Sequence, residues 1–567
     1  MSDTEAESRA LEPLSWERRL DRRELLVKAT VAGGTLAGVG AFAAGARAAR
    51  RAVPGYARRR SASSTLFVAN YGDMQNLDPH TSSADTVTGD ILTNLYAIPA
   101  TFVVPRARGA SGIQYANPNA FRGQAVQSWK NEKGGKQVLF TVRNGIKFPD
   151  GTPLDAEAIK FSLDRCLDVK AVGSFLFAMV GITSKDQFEL VDSRHLRFHL
   201  PKPTSLLLGN MAMFYGSAIL NPTIVKQHAT SADPTAQGWL KTHAAESGWY
   251  TLKQWNVGSG WTLEANPEFW EPVRTKTVQF QVVPDAQQRE LLIRSGKVDM
   301  ALNVPIKDVP ALRKDGNLHV LSVPSRSVAW AGFDVTRKPF DNKLVRQAIC
   351  YAIPYATIMR EVMHGQGVQL KSPIPKGTPG SNFSYWHYNT NYAKAKSLLT
   401  KAGYPKGFST QLDIQTGNPV DEQTASWIAQ GLQKIGIDVT INKQPAAAFT
   451  AQLQAKKHKF WFSSTSWISI NNDPLYHLYW LFAQSCCTYG QYEPKEVVSL
   501  VNGYVNRPLR DPARIRAVNQ LQRQIVDDAP WVFLFQPPWT AALRKNVSGF
   551  VYYSSDQFIR YGALAKT

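Results

Sequence analysis

Several early runs alternate apolar and polar residues at period two, the signature of half-buried strands. They are TLFVAN (65–70), QVLFTVRNG (137–145) and DQFELVDSRHLRFHL (186–200), the last folding back at an Asp-Ser turn as a hairpin. WYTLKQWNVGSGWTLEAN (249–266) predicts a second hairpin turning at Gly258-Ser259-Gly260. DAEAIKFSLDRCL (155–167) spaces Ile159, Leu163 and Cys166 for one helix face. From residue 340 onward the pattern changes. Helical spacing over 343–353, 391–402, 421–435 and 512–527 is interleaved with strands at 408–416, 437–444 and 460–467. A β-rich first part and an α/β second part predict at least two lobes.

The first 28 residues are charged and contain the pair Arg22-Arg23, followed by an uncharged Ala- and Gly-rich stretch from Ala29 to Ala46. That stretch is too weakly hydrophobic for a membrane span. A basic region, a mild apolar region and the A-x-A-like Ala46-Arg47-Ala48 give the order of an export signal over 1–48. Twin arginines ahead of a weak apolar region resemble the bacterial twin-arginine type, which implies the twin-arginine export machinery as a partner. Retention as an uncleaved anchor is the alternative. A basic linker with Arg50, Arg51 and Arg58 to Arg60 fills 49–64.

Length, 567 residues, predicts about four folding units at ~150 residues each, and 44% hydrophobic with 19% charged residues is globular composition. The net charge of +21 first suggests an anionic partner. Beyond the linker, however, the basic residues are mostly scattered singly and make no stripe interleaved with aromatics, so nucleic acid is not the expected partner. Catalytic signatures are missing: there is no G-x-S-x-G, H-E-x-x-H, P-loop or C-x-x-C, and no enzyme, cofactor or metal site is expected. His195 and His199 would stand about 13 Å apart on a strand, too far to share a metal. Cys486 and Cys487 are adjacent, and the sequence leaves open a loop thiol or a bridge to Cys166 or Cys350.

Five segments carry a resemblance by their order and spacing: NLDPHTSSADTVTGDILTNLYAIP (76–99), VLFTVRNGIKFPDGTPLDAEAIKFSLDR (138–165), ESGWYTLKQWNVGSGWTLEANPEFWE (246–271), KPFDNKLVRQAICYAIPYATIMREVMHGQG (338–367) and YAKAKSLLTKAGYPKGF (392–408). From about residue 65 to the C-terminus the chain resembles the family-five extracellular solute-binding proteins, the oligopeptide- and dipeptide-binding receptors of bacterial ABC importers. The resemblance implies an α/β, two-lobe periplasmic-binding-protein-like fold of type II with an inserted third domain. Lobe one would comprise 65–105, 235–328 and 536–567, the insert 106–234, and lobe two 329–535. It further implies a monomeric receptor outside the cytoplasmic membrane, in the periplasm or at the membrane's outer face. Such a receptor captures a peptide or peptide-like solute between its lobes and delivers it to ABC permease and ATPase subunits. A non-peptide solute such as an oligosaccharide or opine, or an importer-independent sensor or chaperone role, is the alternative.

Peptide-binding members carry Trp, two residues, Asp, two residues, an acidic residue and Pro near the edge of lobe two, and the middle Asp anchors the peptide ammonium. Here the segment is SWISINNDP: Trp467, Asp473 and Pro474 match, but Ile470 stands where the anchor belongs. A buried ammonium facing isoleucine loses its ion pair and a charge-assisted hydrogen bond. Trp467 is the leading pocket residue, offering a flat apolar wall and one N–H donor. Tyr71 follows the first strand, where the chain should reach the cleft. Trp330 and Asp334 flank the entry into lobe two, and Asp334 is a candidate replacement for the missing carboxylate.

Overall fold

A computed structural model of the chain describes residues 65–81, 86–106, 113–484 and 487–567. The export signal, its arginine pair and the basic linker lie outside the described residues, as does Cys486.

Three sheets organise the rest. The first has seven strands in the order Leu318–Pro324, Pro538–Arg544, Met300–Leu302, Thr65–Asn70, Thr277–Val282, Gly260–Ala265, Tyr250–Asn256. Thr65–Asn70 lies parallel to a neighbour on each side and buries Leu66 and Val68 completely. The second has six strands in the order Val368–Gln369, Trp531–Gln536, Val328–Phe333, Phe460–Trp467, Phe408–Gln415, Ile437–Gln444. Val328–Phe333 and Trp531–Gln536 are buried at every position, as central strands covered on both faces must be. A third, antiparallel sheet of four strands (Val126–Glu132, Gln137–Val142, His195–His199, Phe188–Asp192) packs beneath the helix Ala156–Val169. Gln137–Val142 alternates half-buried and buried residues along its whole length, matching the period-two reading.

Local signals explain the main helices. Asp155 caps Ala156–Val169 by accepting from Ala158 N, and Asn342 caps Lys343–Ala352 by accepting from Leu344 N. Lys343–Ala352 buries Val345, Ile349 and Ala352, the face its spacing predicts. Gly403, at φ +90°, ends the turn after Tyr392–Lys401 in a conformation that glycine adopts without strain. Both hairpins form, with strands Phe188–Asp192 and His195–His199, and Tyr250–Asn256 and Gly260–Ala265.

The chain passes between the first and second sheets twice, and the two passages lie side by side. Pro324 faces Pro538 in the first sheet, and Ala329 faces Phe535 in the second. Between them Gln536 Nε2 donates to Ser325 O at 3.0 Å, and Ser325 Oγ donates to Pro537 O. Pro324, Pro537 and Pro538 offer no N–H, so the backbone ladder stops here and the two lobes remain separate sheets joined at a hinge. Cys166 and Cys350 are free buried thiols, and Cys487 is bridged to neither. Burial pushes both thiols up. No helix among the described residues is long and apolar enough to cross a membrane.

Candidate functional site

Strand registers define which end of each sheet faces the hinge. In the first sheet, Ala69 pairs with Ala301 and Leu302 with Ala541, so the carboxyl end of Thr65–Asn70 points the same way as the crossings. Tyr71 emerges there, half-buried, with the Arg289 guanidinium 5.9 Å from its ring centroid. Arg289 is itself fixed by four carbonyls, those of Val283, Pro284, Leu302 and Asn303, at 2.7–3.0 Å. In the second sheet Val328, which follows the first crossing, pairs with Trp467 at the carboxyl end of its strand. The sequence-predicted Tyr71 and Trp467 therefore both sit at the hinge-facing ends of their lobes.

Trp467 is half-buried and meets His477 edge-on, with ring centroids 6.4 Å apart. Its indole N–H is shielded from water yet has no hydrogen-bond partner, which leaves a donor for a ligand to satisfy. Burial, with a lesser contribution from the Arg326 cation, lowers the pKa of His477 to about 3 and keeps the imidazole neutral. Ile470 is 8% exposed and belongs to the core around this segment.

The other candidates make the following contacts within the protein. Asp473 caps Pro474–Phe482, accepting from Leu475 N and Tyr476 N, and both of its oxygens lie 2.6 Å from Arg514 Nη2 in a buried ion pair. Trp330 is buried mid-strand and stacks on Trp531 at 4.2 Å. Asp334 follows the far end of Val328–Phe333, about 20 Å from the hinge at ~3.3 Å per residue. There it accepts from Thr336, Gln491 and Arg337. The strand that leads to Asp334 runs away from the hinge.

The sequence reading missed Arg326. It stands on the first crossing, 4% exposed, donating through Nε to Ser554 O at 2.8 Å, through Nη1 to Asn472 and through Nη2 to Ser469 O at 3.4 Å. No ion pair with a carboxylate is made by this guanidinium among the described residues, and burial lowers its pKa to about 10. The only sequence signal is an arginine within S-R-S between two strand-like runs. The 469–472 segment also reaches residues far earlier in the chain: Asn471 Nδ2 donates to Asn210 Oδ1 at 2.7 Å and Asn472 Nδ2 to Asn119 Oδ1 at 2.8 Å. Thr204 Oγ1 adds a bond to Asn506 Oδ1 at 2.7 Å. Asn119 and Asn210 thus meet Asn472 and Asn471 through side-chain hydrogen bonds.

A separate groove of about 470 Å³ is lined by Trp129, Asn131, Leu200, Pro203 and Thr204 among others, and includes none of the hinge-end residues. His195 pairs with Asp192 and His199 with Glu189, each on the exposed hairpin of the third sheet.

Residues 120–486 match the model of the bacterial extracellular solute-binding proteins, family 5 (middle region). The chain belongs to this family. Relatives in family 5 include the probable D,D-dipeptide-binding periplasmic protein DdpA of Escherichia coli K12, 28% identical over 493 residues that cover 86% of this chain and 91% of the relative. The glutathione-binding protein GsiB of Pectobacterium atrosepticum is 25% identical over 75% of this chain and 82% of its own length. The fold is that of the type II periplasmic binding proteins. DppA of Helicobacter pylori, solved with the peptide STSA, superposes with a TM-score of 0.76 at 22% identity, covering 88% of this chain and 98% of its own. MoaA of Agrobacterium tumefaciens R10, solved with mannopinic acid, gives 0.75 at 18% identity over 89% of this chain and 100% of its own.

Proposed function

We propose that this protein is the extracytoplasmic receptor of an ABC importer, binding a peptide or peptide-like solute between its lobes without chemical change. One observation carries the ligand reading. Arg326, a buried guanidinium with no carboxylate ion pair among the described residues, stands on the hinge beside the 469–472 segment, which follows the unsatisfied Trp467 indole by two residues. A solute carboxylate is the natural partner of such a cation, and peptides supply one at their C-terminus. Tyr71 closes the opposite side as an apolar wall. Lobe one (65–105, 235–328 and 536–567) and lobe two (329–535) act as the moving bodies, with 106–234 inserted in lobe one. Export through the twin-arginine route, with removal of residues 1–48, delivers a folded monomer to the periplasm or the outer face of the membrane. Permease and ATPase subunits then take over the solute.

The names of the relatives support a peptide-class ligand, since they include a dipeptide and glutathione binder. Native mass spectrometry of the protein purified from its own exported pool tests the reading. The expected result is a bound mass that matches a carboxylate-bearing, peptide-like compound and is released unchanged on denaturation. A recovered compound without an acidic group, or one released as a reaction product, would refute it.

A further inference from the structure

The second sheet reverses its winding at one place. Helix Pro419–Gln433 leads from Phe408–Gln415 outward to Ile437–Gln444, and the chain then returns inward to Phe460–Trp467. These three strands are parallel, with their carboxyl ends at the hinge side, where Trp467 lies. Between Phe408–Gln415 and Phe460–Trp467 the ladder holds at one pair, Asp413 with Trp461, so the strands part toward those ends. Open α/β sheets bind ligands in the crevice that such a reversal leaves.

Asp421 lies beside this reversal. It lies in the first turn of Pro419–Gln433 and is 0% exposed, accepting from Ser464 N at 3.0 Å through Oδ1. Its other oxygen, Oδ2, is buried with no partner beyond Ser464, whose hydroxyl also bears on the carboxylate, and Thr424 Oγ1 one turn along the same face is buried without a partner. The neighbouring groups are otherwise committed: Asn418 Oδ1 caps the helix and its Nδ2 donates to Ser464 Oγ at 3.2 Å, while Glu422 pairs with Lys443 at 2.7 Å. No ion pair reaches Asp421 among the described residues.

From this geometry we infer that Asp421 is the cation-reading group of the cleft, receiving the ammonium of a free-amine solute in place of the carboxylate lost at Ile470. The inference rests on the interlobe receptor reading and sharpens it. Ser464, which holds Asp421, and Ser469, which touches Arg326, lie five residues apart with Trp467 between them, so the two backbone positions that hold these charges stand no more than about 17 Å apart. An anion at one end and a cation at the other fit a short zwitterion lying across the indole. Burial without a cation pushes the Asp421 carboxyl up to about 6, as expected for a site whose counter-charge arrives with the ligand.

The test uses the mature, ligand-stripped protein and two probes: a mixed tripeptide library and the same library N-acetylated, with retention compared by native mass spectrometry. Wild type is expected to retain free-amine members at least tenfold better. Asp421→Asn keeps an acceptor for Ser464 N but removes the charge, and should bring the two libraries within about threefold of each other. Asp421→Glu should keep the preference. If Asp421→Asn does not fold, Asp421→Ser provides the same uncharged comparison. A free-amine preference that survives these substitutions, or equal retention of both libraries by wild type, overturns the role of Asp421 and leaves the receptor reading standing. Retention of neither library overturns both.

Discussion

Asp473 matches the acidic position of the family's peptide-binding pattern, yet its contacts predict a structural role that can be measured. Both of its oxygens face Arg514 Nη2, and Arg514 is 1% exposed with Nε and Nη1 lacking other partners. Replacing Asp473 with Asn keeps the helix cap, because the amide oxygen can still accept from Leu475 N and Tyr476 N. The substitution removes the counter-charge of a buried guanidinium, which costs about 3–5 kcal/mol when one partner is deleted. At 2–4 °C per kcal/mol for a unit of this size, lobe two should melt roughly 10 °C lower. Asp473→Ala also loses the cap and should cost about 1 kcal/mol more. Asp473→Asn combined with Arg514→Met removes both charges and should recover most of the loss. Thermal melts followed by circular dichroism, paired with ligand titration at a temperature where every variant is folded, provide the assay. An Asp473→Asn protein that melts within 2 °C of wild type but loses ligand would refute the reasoning and return Asp473 to the binding site.

Asp90, buried against Ile559 N and the Tyr561 hydroxyl, has its pKa raised by burial from 3.8 to about 7. Between those values the unfolded chain has released the proton that the folded chain still holds, so stability falls as pH rises, by about 4 kcal/mol in all. Asp90→Asn should therefore raise the melting temperature more at pH 8 than at pH 4.5; equal shifts at both would contradict this. Trp467→Ala should weaken solute binding by about 2 kcal/mol or more, read by calorimetry; unchanged affinity with an intact fold would place the indole in the core. Gly209→Ala would bring a Cβ to 1.5 Å from Asn471 Oδ1 and break the Asn210–Asn471 contact. Small-angle scattering should then show a larger radius of gyration than wild type, and an unchanged radius would show that this contact does not hold the lobes together.

Much of the fold was legible because its signals are local. A cap three residues ahead of an apolar position, a glycine at a helix end and period-two alternation act over a few residues, and the predicted helices and strands from 343 to 528 formed within two residues of their expected ends. Val126–Glu132 escaped notice because VQSWKNE exposes most of its side chains and lacks an apolar stripe. The site was less legible, since its chemistry depends on partners distant in sequence. Nothing near Asp334 reveals that its strand runs away from the hinge, and Arg326 becomes notable only once 469–472 and Ser554 are seen around it. The same holds for the ion pair of Asp473, whose partner Arg514 lies 41 residues away on another helix.

A crystal structure of the protein as purified from its exported pool, without added ligand, tests the central claim most directly. The account predicts solute density between the lobes, with an acidic group on Arg326 and an acceptor at the Trp467 indole N–H. Density confined to the separate groove lined by Trp129 and Leu200, or closed lobes with Arg326 and Trp467 satisfied entirely by protein, would contradict it.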